Sequence, residues 1–172
     1  MLPGVGLESH RAQSPSSLGF AVITISDTRS AADDRGGDAL VAGLEGAGHR
    51  VARRECVKDE AEAIAAAVRA AVADPAVELV LTTGGTGLAP RDVTFDTLRG
   101  LFDSEIPGFG ELFRWLSYRE IGSATILSRA IGGLLERKVV LALPGSPKAL
   151  GLALTEIVLP EAGHLVSQAR GR

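Results

Sequence analysis

The residues Thr82-Thr83-Gly84-Gly85-Thr86-Gly87 gather groups that can hold an anion. Glycines at 84, 85 and 87 let the backbone turn tightly. Successive exposed N–H groups in such a turn make a concavity that favours negative oxygen, and the threonine hydroxyls add donors. The run fits neither common phosphate fingerprint. It lacks the Lys-Ser/Thr pair of a P-loop, and Pro90 stands where a dinucleotide fingerprint needs its third glycine. On the glycines alone, an ordinary strand-to-loop turn and an anion site are equally open.

Arg91-Asp92-Val93-Thr94 follows directly. Thr94 is placed to cap a helix starting at Phe95, so Asp92 is not needed for that task. A carboxylate beside a phosphate cradle repels the ligand unless a cation stands between them. Mg²⁺ does so, being held by one or two carboxylates together with phosphate oxygens. The other reading of Asp92 is a solvated loop aspartate. Asp59 also has two readings. Asp59-x-x-Glu62 before a helix is a capping-box-like pattern, and the helix cap is the favoured role. The alternative is a second carboxylate on the metal side.

Three further loops carry suitable groups. In Pro144-Gly145-Ser146-Pro147-Lys148, Ser146 suits an N-cap and Pro147 the first helical position. Lys148 then sits at the positive end of the helix dipole, which is explained either by a bound anion or by a side chain lying out in solvent. Ser26-Asp27-Thr28 offers hydroxyls and a carboxylate to a polar ligand, or makes a plain turn. Ser128-Arg129 offers a hydroxyl and a guanidinium that matches phosphate bidentately. His10, His49 and His164 share no metal-ligand spacing, and Cys56 reads as a small core residue. No Ser/His/Asp set is evident.

These loops need a scaffold. The 172 residues suit one domain, with 1–17 read as a flexible tail and 18–172 as the folded unit. Apolar runs at 18–26, 49–57 and 76–83 predict buried strands. Segments 126–135 and 137–143 predict a hairpin or two neighbouring strands. Helical spacing marks 38–47, 60–73 and 95–101, and a helix carrying Phe109, Leu112, Phe113 and Leu116. A last helical stretch begins after Ser146, broken or kinked at Pro160, and 168–172 is expected to fray. Alternating strands and helices imply an α/β fold, a mainly parallel sheet covered on both faces, with ligands beyond the C-terminal strand ends.

Composition limits the partners. A net charge of −3 without a basic stripe excludes a nucleic-acid binder of the usual kind. No apolar run comes near the ~20 residues of a membrane helix. One cysteine excludes an internal disulfide and suits a reducing, cytoplasmic setting.

Four ordered segments then converge: TTGGTGLAPRDVT, GFGELFRWLS at 108–117, ILSR at 126–129 and LPGSPKA at 143–149. Together they resemble the molybdopterin-binding domain family, which includes the molybdopterin adenylyltransferases and the molybdenum cofactor biosynthesis protein B branch. The resemblance spans roughly 19–168. It implies a three-layer α/β/α sandwich, assembled as a trimer or as a hexamer of two trimers. It implies transfer of AMP from ATP to the molybdopterin phosphate with release of pyrophosphate, and a separate downstream protein that inserts the metal. Asp92 and Asp59 match the positions used for Mg²⁺-ATP and catalysis. Ser26, Asp27, Gly84 to Gly87, Ser128 and Pro144 to Ser146 match pocket positions. In that scheme Thr86 and the glycines hold phosphates, while Lys148 or Arg129 supplies positive charge. The alternative is a protein that binds molybdopterin without adenylylating it.

Overall fold

A computed structural model of the chain describes residues 15–30 and 32–171. Its strands are β1 (Gly19–Ile25), β2 (Arg50–Val57), β3 (Leu79–Thr83), β4 (Ser104–Glu105), β5 (Ile131–Leu135) and β6 (Lys138–Leu143). They form one six-stranded sheet in the order β2-β1-β3-β6-β5-β4. Strands β2, β1, β3 and β6 run parallel. β5 runs antiparallel to β6, and β4 antiparallel to β5. β1 and β3 are apolar or threonine-bearing throughout and buried along their whole length, as strands covered on both faces must be.

The helices are α1 (Arg35–Gly46), α2 (Ala61–Ala73), α3 (Thr94–Leu101), α4 (Pro107–Ile121), α5 (Pro147–Ala153) and α6 (Leu159–Ala169). On one face of the sheet, Phe20, Val22, Leu81 and Leu141 pack against Leu44 of α1, Phe113 of α4, Leu150 of α5 and Val166 of α6. On the other, Ala21, Ile23, Val80 and Val140 pack against Ile64 and Val68 of α2 and Leu98 of α3. The period-two alternation of each strand thus feeds two separate apolar layers. The result is the expected three-layer α/β sandwich.

Several expectations shift in detail. α1 starts three residues before 38, because Asp34 caps it by accepting from the Gly37 amide at 2.9 Å. A Cβ on Gly37 would stand 1.9 Å from the Asp34 carboxylate, which is why a glycine occupies this first turn. The 126–143 segment forms a hairpin, but its first strand begins only at Ile131. Ile126 and Leu127 lie exposed in a 3₁₀ turn, Gly122–Leu127. Glu136 and Arg137 make the hairpin turn with φ of 50° and 63°, the left-handed pair that a two-residue connection requires.

The break expected at Pro160 becomes a widened turn. Leu154–Val158 winds as a π-helix, and Pro160 falls in the first turn of α6, where its missing N–H is tolerated. By length and composition alone, the 23 residues Pro147–Ala169 meet the requirement for a membrane-crossing helix, contrary to expectation. Leu150, Leu154, Val158 and Val166 of this stretch instead seal one face of the sheet. The C-terminal end is tied down rather than frayed as far as residue 171. Arg170 donates to Glu78 at 2.6 Å, and the Arg137 guanidinium donates to the Arg170 carbonyl. Of the expected tail, 1–14 lies outside the described residues; Ser17 donates its hydroxyl to the Gly48 carbonyl at 2.9 Å.

Candidate functional site

The loops singled out by their chemistry leave the sheet at one edge. Residues 26–28 follow β1, 58–59 follow β2, 84–94 follow β3 and 144–146 follow β6. Because β5 runs antiparallel, Ser128 and Arg129, just before it, reach the same edge. The chain passes from β1 to β2 on one side and returns to β3 on the other. This reversal opens a crevice between the loops after β1 and β3, the usual ligand position in open α/β sheets.

The glycines of the loop are there because other atoms occupy the space a side chain needs. At Gly84, φ is +108° and a Cβ would lie 2.1 Å from the Ile25 carbonyl oxygen, so the loop presses against the end of β1. At Gly85, φ is +62°, and a Cβ would lie 2.2 Å from the Thr94 hydroxyl and 2.8 Å from both Asp59 oxygens. At Gly87, a Cβ would lie 2.6 Å from Asp92 Oδ2. The two singled-out carboxylates therefore stand against the same glycine loop. Gly145 comes up beside Gly84, and the Thr83 hydroxyl donates to the Pro144 carbonyl at 3.2 Å, so the β6 loop joins this wall.

The contest over Asp59 is decided against the cap. Glu60 occupies the cap position of α2 with no side-chain cap bond. The buried Asp59 carboxylate turns toward the glycine loop and accepts from the Val93 amide at 3.4 Å. Burial raises its pKa, the Val93 bond opposes it, and the charges of Asp92 and Asp27 push it up again against Arg91. Asp92 Oδ2 accepts from the Ala89 amide at 2.9 Å. Thr94, expected to cap α3, is instead its first residue, after Val93. The Thr94 hydroxyl is fully buried and has no hydrogen-bond partner among the described residues.

The expected cations are committed elsewhere. Arg129 donates to the Gly87 carbonyl at 2.8 Å, the Asp92 carbonyl at 2.6 Å and the Asp96 carboxylate at 2.8 Å. Its fork braces the loop from behind, with all three guanidinium nitrogens engaged there. Lys148 points to Glu120, at 3.4 Å, rather than into the crevice. Ser146 does cap its helix, accepting from the Ala149 amide at 3.2 Å. Ser128 Oγ accepts from the Ala130 amide at 3.4 Å, and Ser26 Oγ accepts from the amides of Thr28 and Arg29 at 3.3 and 3.1 Å. Both serines thus brace their own turns at the edge.

Two residues at this edge went unread in the sequence. Arg91 grips Asp27 bidentately, at 2.6 and 2.8 Å, across the crevice. That bond is the main reason the Asp27 carboxyl is lowered to about 2. Its signal was the RDVT motif itself, where attention went to the neighbouring acid. Asp34 is buried at the start of α1 and accepts from the Thr24 hydroxyl at 2.6 Å and from Arg54 at 3.2 Å. Burial opposes its charge, but these bonds together outweigh it and hold its pKa below the usual carboxylate range. The Gly36-Gly37 pair masked this cap in the sequence. Cys56 is half-buried on the edge strand β2, not a core residue, and its thiol contacts the Arg29 carbonyl at 3.5 Å. His49 packs on Phe20, with ring centroids 5.1 Å apart. Among the described residues, no three His, Cys, Asp or Glu side chains cluster as a self-sufficient metal site. Any divalent ion here must take part of its shell from a ligand.

The model of the probable molybdopterin binding domain matches residues 21–164. The chain belongs to this molybdopterin-binding domain family. It is 48% identical over 162 residues to molybdenum cofactor biosynthesis protein B of Bacillus cereus, covering 94% of this chain and 96% of that protein. A solved structure of a molybdenum cofactor biosynthesis protein B superposes with a TM-score of 0.89 at 47% identity, over 93% of this chain and 100% of the other. The tungsten cofactor synthesizing protein of Pyrococcus furiosus aligns with a TM-score of 0.83 at 35% identity, over 91% and 99%. The coarse function of this family member is a part in molybdenum cofactor biosynthesis, with molybdopterin as partner.

Proposed function

We propose that the protein is a molybdopterin adenylyltransferase, using Mg-ATP to place AMP on the molybdopterin phosphate. The observation that carries this reading is the placement of Asp59 and Asp92 against Gly85 and Gly87 of one loop. A binding-only protein has little use for two carboxylates beside an anion cradle. Burial and the neighbouring acids already disfavour the charge on Asp59. Hard carboxylate oxygens with excess negative charge are a donor set that fits Mg²⁺. Asp59 and Asp92 would hold it, and when bound it offsets charge on the triphosphate and on departing pyrophosphate.

The remaining chemistry is positioning. An oxygen of the molybdopterin phosphate forms a bond to the α-phosphorus of ATP, and the bond to the bridging oxygen of pyrophosphate breaks. The nucleophile is already ionised and needs no base. The amides of Gly85, Thr86 and Gly87, with the Thr86 hydroxyl, cradle phosphate oxygens, while the Gly84 amide is held by the Leu143 carbonyl at 3.1 Å. Arg129 keeps that cradle rigid by tying down the Gly87 and Asp92 carbonyls.

Trp115, Tyr118, Ile121, Ile126 and Leu127 are each more than half exposed along α4 and the turn after it. Such an apolar face supports a homo-oligomer, a trimer or a pair of trimers. A cytoplasmic location and a separate metal-insertion protein as recipient complete the proposal. The alternative, molybdopterin binding without transfer, is favoured by one observation: Arg129 and Lys148 are both engaged away from the crevice.

Incubation of purified protein with molybdopterin and Mg-ATP tests the choice. Transfer of AMP with matching pyrophosphate release, lost in Asp92→Asn, is the expected result. Tight pterin binding with no pyrophosphate release would select the binding-only protein.

A further inference from the structure

We propose that Arg91 is the phosphate-binding cation of this site, held on Asp27 in the free protein and exchanged onto the ligand's phosphate on binding. The inference deepens the adenylyltransferase reading and rests on it for the identity of the ligand, though not for the presence of an anion.

The first argument is charge. Asp27, Asp59, Glu60 and Asp92 converge on the crevice, so an anionic ligand needs a local cation. Among the described residues at this edge, Arg129, Lys148 and Lys58 have partners of their own. Arg129 has each of its guanidinium nitrogens bonded to the loop or to Asp96. Lys148 faces Glu120, 3.4 Å away. Lys58 donates to the Asp27 carbonyl at 2.8 Å.

The second argument is geometry. Arg91 stems from the glycine loop after β3, and Asp27 from the loop after β1, so their bond spans the crevice at the chain reversal. The guanidinium presents Nε and Nη2 to the two carboxylate oxygens at 2.6 and 2.8 Å. That is the same fork geometry with which arginine takes two oxygens of a phosphate. Asp27 therefore holds the guanidinium preorganised for the ligand group it will meet.

The third argument is ease of exchange. The Arg91 side chain is 56% exposed and Asp27 34%. An exposed ion pair contributes little to stability, so opening it takes little. Asp27 does not then lose every partner, because its Oδ1 also accepts from the Asp59 amide at 3.2 Å. A phosphate carries more charge than the carboxylate it replaces, which sets the direction of the exchange.

The test uses inorganic pyrophosphate without metal, titrated calorimetrically at low salt into the full chain and three variants. Arg91→Gln should weaken binding at least tenfold, and Arg91→Lys should recover only part of it, since lysine lacks the fork. Asp27→Asn should tighten binding several-fold, because it frees the guanidinium while keeping an acceptor for the Asp59 amide. A purely structural ion pair predicts the opposite sign, with Asp27→Asn weakening binding as Arg91→Gln does. That result, unchanged binding in Arg91→Gln, or no pyrophosphate affinity in the unaltered protein would overturn the proposal. Melting curves of all variants should stay close to that of the parent, because the pair is exposed. The expected binding pattern without AMP transfer would keep Arg91 as the anion ligand and remove only the adenylyltransferase reading. AMP transfer with Arg91-independent pyrophosphate binding would do the reverse.

Discussion

Replacing Thr94 with valine should make the free protein more stable and its ligand response weaker. The Thr94 side chain is fully buried, and its hydroxyl has no partner among the described residues. An unsatisfied buried hydroxyl costs about 1–3 kcal/mol. Valine has nearly the same shape and χ1 preference, so the exchange removes the orphaned group without opening a cavity. For a chain of this size each kcal/mol moves the melting temperature by roughly 2–4 °C. The expected rise is thus about 2–12 °C before any offset from a methyl group facing the Asp59 carboxylate. Differential scanning calorimetry at one fixed protein concentration reads it, since melting of an oligomer depends on concentration. A second scan with Mg-ATP measures ligand stabilisation, which should shrink in the variant because the hydroxyl stands beside Gly85 and the Asp59 carboxylate at the glycine loop. If Thr94→Val melts below the parent without ligand, the hydroxyl is already satisfied and the reasoning fails. If the variant gains stability but keeps the full ligand shift, the hydroxyl is a packing defect unconnected with the site.

The acids and the bracing arginine make further predictions. Asp59 has a folded pKa above its unfolded value, so its ionisation costs stability once the pH rises above the ordinary carboxylate range. Asp59→Asn should therefore be more stable than the parent at pH 7 and lose that advantage below about pH 4, in urea melts across that interval. Asp34 has the opposite sign: its folded pKa is depressed, so its contribution is full above the unfolded value and fades as pH falls through the folded one. Asp34→Ala should lose at least the ~0.5–2 kcal/mol of a helix cap at neutral pH, with a smaller deficit in acid. Arg129→Lys can serve only part of the Gly87, Asp92 and Asp96 set. Hydrogen exchange at 86–93 should speed up in that variant, while α2 exchanges as before.

The scaffold was legible because its signals are local and redundant. Ile64, Ala67, Val68, Ala71 and Val72 form the stripe that α2 buries, and the runs ending at Ile25 and Thr83 are strands covered on both faces. The loops after β1, β2, β3 and β6 were legible as a set because parallel topology sends them to one edge. What the sequence hid was the partner of each polar side chain. Arg129 and Lys148 were read as cations available to phosphate, and nothing in their neighbours reveals that Asp96 and Glu120 would meet them. The bond between Asp27 and Arg91 joins residues 64 positions apart, which no local pattern encodes. Edge burial was hidden in the same way. Cys56 reads as a small core residue by type, but β2 ends the sheet and leaves it half-covered.

Asp59 departs most directly from a local rule. The pattern Asp59-x-x-Glu62 before an alanine-rich helix is what a capping box requires, and capping would remove the carboxylate from the crevice. The chain instead starts α2 from Glu60 without a side-chain cap, giving up the ~1 kcal/mol a good cap supplies. It then buries the Asp59 carboxylate beside two other acids and an orphaned hydroxyl, against a glycine that leaves room for it. Each of these choices disfavours the free protein, and each would be relieved by a cation and a phosphate arriving at the same point. Unfavourable terms that cluster in one crevice, while the two apolar layers behind it remain well packed, are what the proposed site would cost the fold that carries it. The same clustering separates Asp59 from Asp34. Asp34 is as deeply buried, yet it is fully bonded by Thr24, Gly37 and Arg54, and is therefore structural.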